Sequence, residues 1–196
     1  MTVRTVTFAA LAIGLCLHAP AAAGWKQVNA NQPAKVGALT LLPAKDWNQD
    51  SSALGKQGKG WTQDGFELNA FEVFAGVPAG QPLYKERDKK RNPMPKFDTT
   101  LLLPELADFF ERSFRAGKGV TDFTVENSDP VIFAGGQGLE VRYRYSLPND
   151  DLVRRGVARL VMIDKKLYAA TYFAPDVHYF QAGLPEAQAL MEKARL

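Results

Sequence analysis

Cysteine is almost missing from this 196-residue chain, which has only Cys16, and histidine is nearly as scarce, with His18 and His178. A single cysteine forms no internal disulfide, so packing alone must hold the fold. Zinc sites gather histidine and cysteine ligands, and no such cluster is present. Nucleophile–base catalysis needs an activated group beside a positioned partner, and neither a G-x-S-x-G elbow nor a cysteine–histidine pair is available beyond the N-terminal segment. No apolar run reaches the ~20 residues of a membrane-crossing helix, so no membrane span is expected. Charge of one sign is also in short supply. Lys and Arg number 24 against 21 Asp and Glu, a formal net charge of +3 that is too mild to argue for a nucleic-acid partner.

Arg4 precedes an apolar run from Phe8 to Leu17, and Pro20-Ala21-Ala22-Ala23 then supplies small residues at cleavage-site spacing. That pattern is a secretory signal peptide over residues 1–23, with cleavage after Ala23 and a periplasmic or secreted product. Lipid attachment at Cys16 is disfavoured, because Leu15 is bulky where a small residue is needed and no polar spacer follows. The mature chain would keep 173 residues (196 less 23), with His178 as its only histidine. That length suits one α+β domain over 24–196.

The sequence is organised around Gly138 to Pro175. Leu139, Val141, Tyr143 and Tyr145 alternate with Glu140, Arg142, Arg144 and Ser146, a period of two that predicts one apolar and one charged strand face. Leu147-Pro148-Asn149-Asp150-Asp151 ends that strand. A second runs from Gly156 to Ile163, apolar between Val157 and Ile163 except at Arg159, which predicts a central strand covered on both faces. After Asp164-Lys165-Lys166 comes a third from Leu167 to Ala174, closed by Pro175. Glycine would suit a primed turn better than Lys165, so a longer loop or some strain is expected there.

Upstream, Trp25 to Lys35 reads as a loose arm or short edge element, Val36 to Leu42 as a strand stopped at Pro43, and Trp47 as an anchor for the following loop. Asn48 to Gly60 reads as an exposed connection. Trp61 to Val73 reads as a strand with a bulge or change of environment near Ala70. Gly76 to Phe97, with four prolines around the charge run Lys85 to Arg91, is the longest loop; Glu86 and Asp88 interrupt the run, which favours a solvated connection over a basic patch for an anionic surface. Pro104 to Ala116 is the clearest helix, with Leu106, Phe109, Phe110 and Phe114 on one stripe and Gly117 closing it. Asp108 with Arg112 and Glu111 with Arg115 stand four apart. Phe123 to Phe133 is a strand divided at Asn127-Ser128-Asp129-Pro130, Gly135-Gly136-Gln137-Gly138 is a tight connection, and Pro185 to Arg195 is a short amphipathic helix.

The most chemically suggestive set is Arg142, Arg144, Arg154, Arg155 and Arg159. Arg142 and Arg144 share a face, and Arg159 joins them only if the strand register allows. Guanidinium groups so placed would grip a carboxylate or phosphate; the competing reading pairs them with Glu140, Asp150 and Asp151. His178, beside Tyr179 and Phe180, is a further ligand-site candidate, with a structural role as its alternative. Asn149-Asp150-Asp151 lacks the spaced oxygens of a calcium loop and reads as a turn.

In order and spacing, the strand ending at Leu42-Pro43…Trp47, the second strand, the central helix, the Gly135-Gly136…Gly138 lead into a three-stranded meander and the closing helix resemble the PsbP-like family. The resemblance implies an α/β/α sandwich on an antiparallel sheet, and a place among small extrinsic or exported proteins. Histidine and acidic metal sites of some plant members have no residue-by-residue match here, so none is carried over. The expectation is an exported, non-catalytic binding or accessory protein of the cell envelope. It would need no cofactor or metal, and its partner would be an anionic small molecule or an envelope protein complex. The candidate site is Arg142, Arg144, Arg159 and His178. The alternatives are a periplasmic carboxylate-dependent hydrolase, recognisable by two acidic groups in one pocket, and a structural subunit docked on an envelope complex.

Overall fold

The computed structural model describes residues 24–52 and 54–196; the signal-peptide reading falls on residues 1–23, outside them. The strands are β1 (Trp25–Val28), β2 (Ala34–Val36), β3 (Leu39–Leu41), β4 (Trp47–Asp50), β5 (Gly58–Thr62), β6 (Ala70–Pro78), β7 (Asp122–Phe133), β8 (Gly136–Ser146), β9 (Arg154–Ile163) and β10 (Lys166–Pro175), with helices α1 (Glu105–Lys118) and α2 (Tyr179–Glu192). Eight strands form one antiparallel sheet in the order β1-β4-β5-β6-β10-β9-β8-β7, while β2 and β3 pair separately.

The continuous apolar runs of β6, β9 and β10 give the sheet two apolar faces, and each is covered. Tyr143, Tyr145, Leu160, Ala169 and Phe173 face α1 and the long loop before it. Val157, Val161, Ala170, Tyr172 and Phe71 face α2 and the β2–β3 hairpin. The result is the α/β/α sandwich that the resemblance implied. The meander matches its reading, with β9 an interior strand buried along most of its length. Its β9–β10 turn is tight despite Lys165: Asp164 and Lys165 both hold positive φ, 49° and 59°, between the paired residues Ile163 and Lys166. The β7–β8 turn does the same with Ala134 and Gly135.

Several upstream elements differ from the sequence reading. Val36 to Leu42 is split into a hairpin by Gly37, whose φ of 55° opens a two-residue loop. Trp47-Asn48-Gln49-Asp50 is strand rather than connection; its polar residues have low strand propensity, and pairing with β1 and β5 supplies what propensity does not. The run from Trp61 to Val73 is interrupted over 63–69, where Asn69 Oδ1 accepts the Thr62 hydroxyl at 2.8 Å and the Gln63 N–H at 2.9 Å, so β6 begins at Ala70. Asn127 to Pro130 does not divide β7. The strand absorbs an irregularity between Val125 and Asn127, and it tolerates Pro130 because it lies at the sheet edge.

Helix α1 continues through Gly117 and ends at Gly119, whose φ is 69°. Gly117 is needed for another reason: a Cβ there would stand 2.5 Å from Tyr84 Cγ. Arg115 pairs with Glu111 at 3.2 Å, whereas Arg112 Nε donates to the Asp108 carbonyl. Helix α2 starts six residues before Pro185, which it carries inside; the missing N–H removes one helical bond, to the carbonyl of Gln181, an exposed residue. Glu186 of α2 accepts the Ala44 and Lys45 N–H groups at 2.8 and 3.1 Å, tying the β3–β4 loop to this face.

Candidate ligand site

Register resolves the arginines. Glu140 pairs with Arg159 and Arg142 with Val157 across β8 and β9, so Arg142, Arg144, Arg155 and Arg159 all lie on the α2 face of the sheet. They do not form an open grip. Glu140 stands between two of them, 2.8 Å from Arg159 Nε and 2.9 Å from Arg142 Nη2, and buried Arg159 also approaches Glu192 at 3.8 Å. Arg155 contacts Asp176 at 3.0 Å and Glu126 at 3.9 Å. Arg154 points to the other face and meets Asp150 at 2.8 Å. Of the five, Arg144 alone forms no ion pair among the described residues. His178 is exposed at the start of α2 with its ring 5.7 Å from that of Tyr179, and no hydrogen bond or ion pair joins it to Arg142, Arg144 or Arg159.

A cavity of about 610 Å³, open to solvent on one side, lies elsewhere, between the β4–β5 loop and the loop from Ala79 to Phe97. Two features of the sequence build it. Leu83, Tyr84, Met94 and Phe97 are buried against α1, which fixes a loop that otherwise reads as solvated. Backbone bonds from Gly80 N to Phe97 O (2.8 Å) and Phe97 N to Gln81 O (2.9 Å) close its base. Lys85 N donates to Leu54 O at 2.5 Å, joining the two loops. Gly55 sits so close there that a Cβ would be 2.3 Å from Leu83 O.

Lys56, Lys85 and Lys96 line this cavity, with Glu86 as its one carboxylate. Among the described residues none of the three lysines forms an ion pair. The acids within the charge run are spent on the backbone rather than on their basic neighbours. Glu86 Oε1 accepts Met94 N–H at 3.1 Å, and Asp88 Oδ1 accepts the N–H groups of Lys90 and Arg91. At the rim, the Ser52 hydroxyl and N–H both turn to Asp50, which holds that carboxyl below its ordinary range. The cavity is therefore a concave, positively charged space suited to an anion.

No family model matches the chain, and no curated protein matches it by sequence. Solved structures do. The solution structure of the cyanobacterial PsbP protein CyanoP from Synechocystis sp. PCC 6803 superposes with a TM-score of 0.55 at 11% identity, over 89% of this chain and 93% of that one. This chain has a PsbP-like fold. The Ran-binding protein Mog1p of Saccharomyces cerevisiae shares it, with a TM-score of 0.50 and 11% identity over 87% of this chain and 94% of its own. At such identity the likeness is one of architecture, and it carries no side-chain role across.

Within this PsbP-like fold the sequence reading missed Glu72, Tyr84 and Lys118. Glu72 is fully buried in β6; Tyr84 Oη donates to its Oε2 at 2.8 Å, and Lys118 Nζ, from the last turn of α1, meets its Oε1. The same ammonium lies 5.3 Å from the centre of the Tyr84 ring and 5.2 Å from that of Phe173. The one available signal is an acid inside the otherwise apolar run Ala70 to Val77. Tyr84 thus ties the cavity wall to the core. Burial pushes the phenols of Tyr84 and Tyr143 well above their ordinary value, with Glu72 adding to the rise in Tyr84; burial also raises Tyr145 and Tyr172. A phenol that holds its proton more tightly folded than unfolded contributes stability in full below the unfolded pKa of about 10, and loses it as pH rises above that. The urea midpoint should hold up to that pH and then fall steadily, with phenolate absorbance appearing together with unfolding. Four phenols ionising near pH 10 in an intact fold would contradict this account.

Proposed function

We propose that this chain is an exported, non-catalytic binding or accessory protein, a single α+β domain over 24–196 released by cleavage after Ala23, that takes an anionic ligand in the cavity between the β4–β5 and 79–97 loops. The observation that carries the reading is the lining of that cavity: three lysines without ion-pair partners, and one carboxylate already committed to a backbone N–H. A carboxylate-dependent hydrolase asks for two acidic groups facing one space, and Glu86 stands alone there. The arginine face supports the reading less well, because Glu140 already engages Arg142 and Arg159; among the described residues Arg144 and exposed His178 are its groups without an ion pair.

Calorimetric titration of the purified chain with inorganic phosphate tests the reading. Saturable binding is expected, weakened at least tenfold by Lys56→Ala, Lys85→Ala and Lys96→Ala together, roughly 1.4 kcal/mol of lost attraction. It should also weaken with added salt, since the ammoniums are exposed. Arg142→Ala with Arg144→Ala should leave it unchanged. Loss of binding in the arginine variant but not the lysine variant would move the site to the sheet face. Fractionation of the producing cells should find a mature N-terminus at Gly24 outside the cytoplasm.

A further inference from the structure

We propose that the end of the molecule around this cavity docks on the surface of an anionic phospholipid leaflet, with the turn carrying Lys89, Lys90 and Arg91 and the Trp25 ring as its two outer contacts. The inference rests on the anion-binding reading above and adds the partner that presents the anion. Charge is unevenly placed along the chain. Residues 79–97 hold six cations and two acids, a net of +4, whereas residues 24–196 together come to +2 (the chain's +3 less Arg4), so everything outside this loop sums to −2. The excess is displayed on the surface. Lys85, Arg87, Lys89, Lys90, Arg91 and Lys96 are all exposed, and none forms an ion pair among the described residues. Lys89, Lys90 and Arg91 stand on one turn, closed by Asn92 N–H donating to Asp88 O at 2.9 Å and held to α1 by Asn92 Nδ2 donating to the Ala116 carbonyl at 3.1 Å.

Charge alone would fit any polyanion, and Trp25 selects among them. Trp47 and Trp61 have no exposure, whereas Trp25 is 51% exposed. Its ring stacks on that of Phe66 at 5.7 Å, and Phe66 and Leu54 both lie over Gly60. Leu54 O accepts the Lys85 N–H, and Trp25 pairs with Asp50 at the end of β4 that leads into the β4–β5 loop. The apolar strip therefore borders the cavity on one side. On the other, Lys85 also lines a smaller hollow of about 250 Å³ walled by Arg87, Asp88 and Asn92, at the foot of the basic turn. A soluble anion or a purely acidic protein surface satisfies the cations but offers an exposed indole no apolar layer to enter. The headgroup region of a bilayer takes both, since an indole settles at the interface and each cation there gains from the negative potential of the leaflet. The contact is peripheral, because no helix among the described residues is long and apolar enough to cross a membrane.

Co-sedimentation with vesicles tests the partner. Vesicles of equal parts phosphatidylglycerol and phosphatidylcholine should bind the purified chain, and vesicles of phosphatidylcholine alone should not. Binding should fall with added salt, and it should drop roughly a hundredfold with Lys89→Ala, Lys90→Ala and Arg91→Ala together. That variant should keep its phosphate binding, because the three side chains lie outside the cavity lining. Arg142→Ala with Arg144→Ala, on the α2 face of the sheet, should leave vesicle binding unchanged. Tryptophan emission should shift to the blue on the anionic vesicles, and Trp25→Ala should remove the shift and weaken binding severalfold. Phosphate binding without vesicle binding would overturn this inference and leave the anion reading standing, and binding of neither would overturn both. Equal binding to neutral vesicles, binding indifferent to the triple variant, or an unshifted emission would also overturn it. So would binding of polyglutamate in place of vesicles, which would assign this end of the molecule to an acidic protein.

Discussion

Phe114→Ala is expected to lower folding stability by about 4 kcal/mol, near the top of what one core substitution costs. Phe114 is fully buried, and its ring centre lies 5.0 to 6.3 Å from those of Tyr145, Tyr143, Phe173, Phe123, Phe110 and Tyr84. Those rings belong to α1, the long loop, β7, β8 and β10, so one side chain joins five segments of the α1-side core. Truncation removes the transfer energy of the ring together with its edge-to-face contacts. It also leaves a cavity that resists collapse, because the neighbouring rings are held elsewhere: the Tyr143 and Thr171 hydroxyls are 2.7 Å apart, and Tyr84 is bonded to Glu72. Equilibrium unfolding in urea should show a lower midpoint at unchanged slope, while Phe114→Leu should cost roughly 1.5 kcal/mol. A loss below about 1 kcal/mol for the alanine variant would mean that these rings repack freely and that the core is not held as described.

The second large effect is expected at Lys118. Glu72 has no exposure, and Lys118 brings the charge that balances it from a side chain with only 25% exposure. Lys118→Met keeps most of the aliphatic packing over Tyr84 and Phe173 but strands a carboxylate inside the sheet. The expected loss is about 3 kcal/mol, at the lower end for a broken buried pair because Lys118 retains some contact with water. Adding Glu72→Gln should restore most of it, since Tyr84 keeps an acceptor and no unpaired charge remains. A double variant no more stable than Lys118→Met alone would show that packing of the lysine stem, and not its charge, accounts for the loss.

How much of this was legible in the sequence differs by region, for physical reasons. The meander is plain because β8, β9 and β10 alternate or run apolar over ten or eleven residues, between turns closed by single polar breaks. The stripe of α1 is plain because three phenylalanines recur at helical spacing. The strand from Trp47 to Asp50 is not, because Asn48, Gln49 and Asp50 favour turns and only their partners in β1 and β5 make them strand. For β7, local turn chemistry at Asn127 to Pro130 pointed one way and the edge position of the strand decided the other. Helix α2 starts earlier than its proline suggests because Pro185 removes only one helical bond, at a position where the chain is exposed.

By itself, then, the sequence determined an α+β domain built on the meander: periodicity specifies which strand face and helix stripes must be buried, and the apolar run of β9 requires cover on both sides, while the α/β/α sandwich was what the resemblance implied. It also determined that Arg142 and Arg144 share a face, which follows from a period of two. Only the tertiary structure decided what those charges do. The register that sets Glu140 opposite Arg159 turned a candidate grip into a paired surface, and register depends on contacts between strands that no local pattern encodes. In the same way Lys56, Lys85, Lys96 and Gln57 lie on two loops of ordinary polar composition. They became one cavity because buried Leu83, Tyr84, Met94 and Phe97 fix the longer loop and the glycine at Gly55 lets the shorter one close against it.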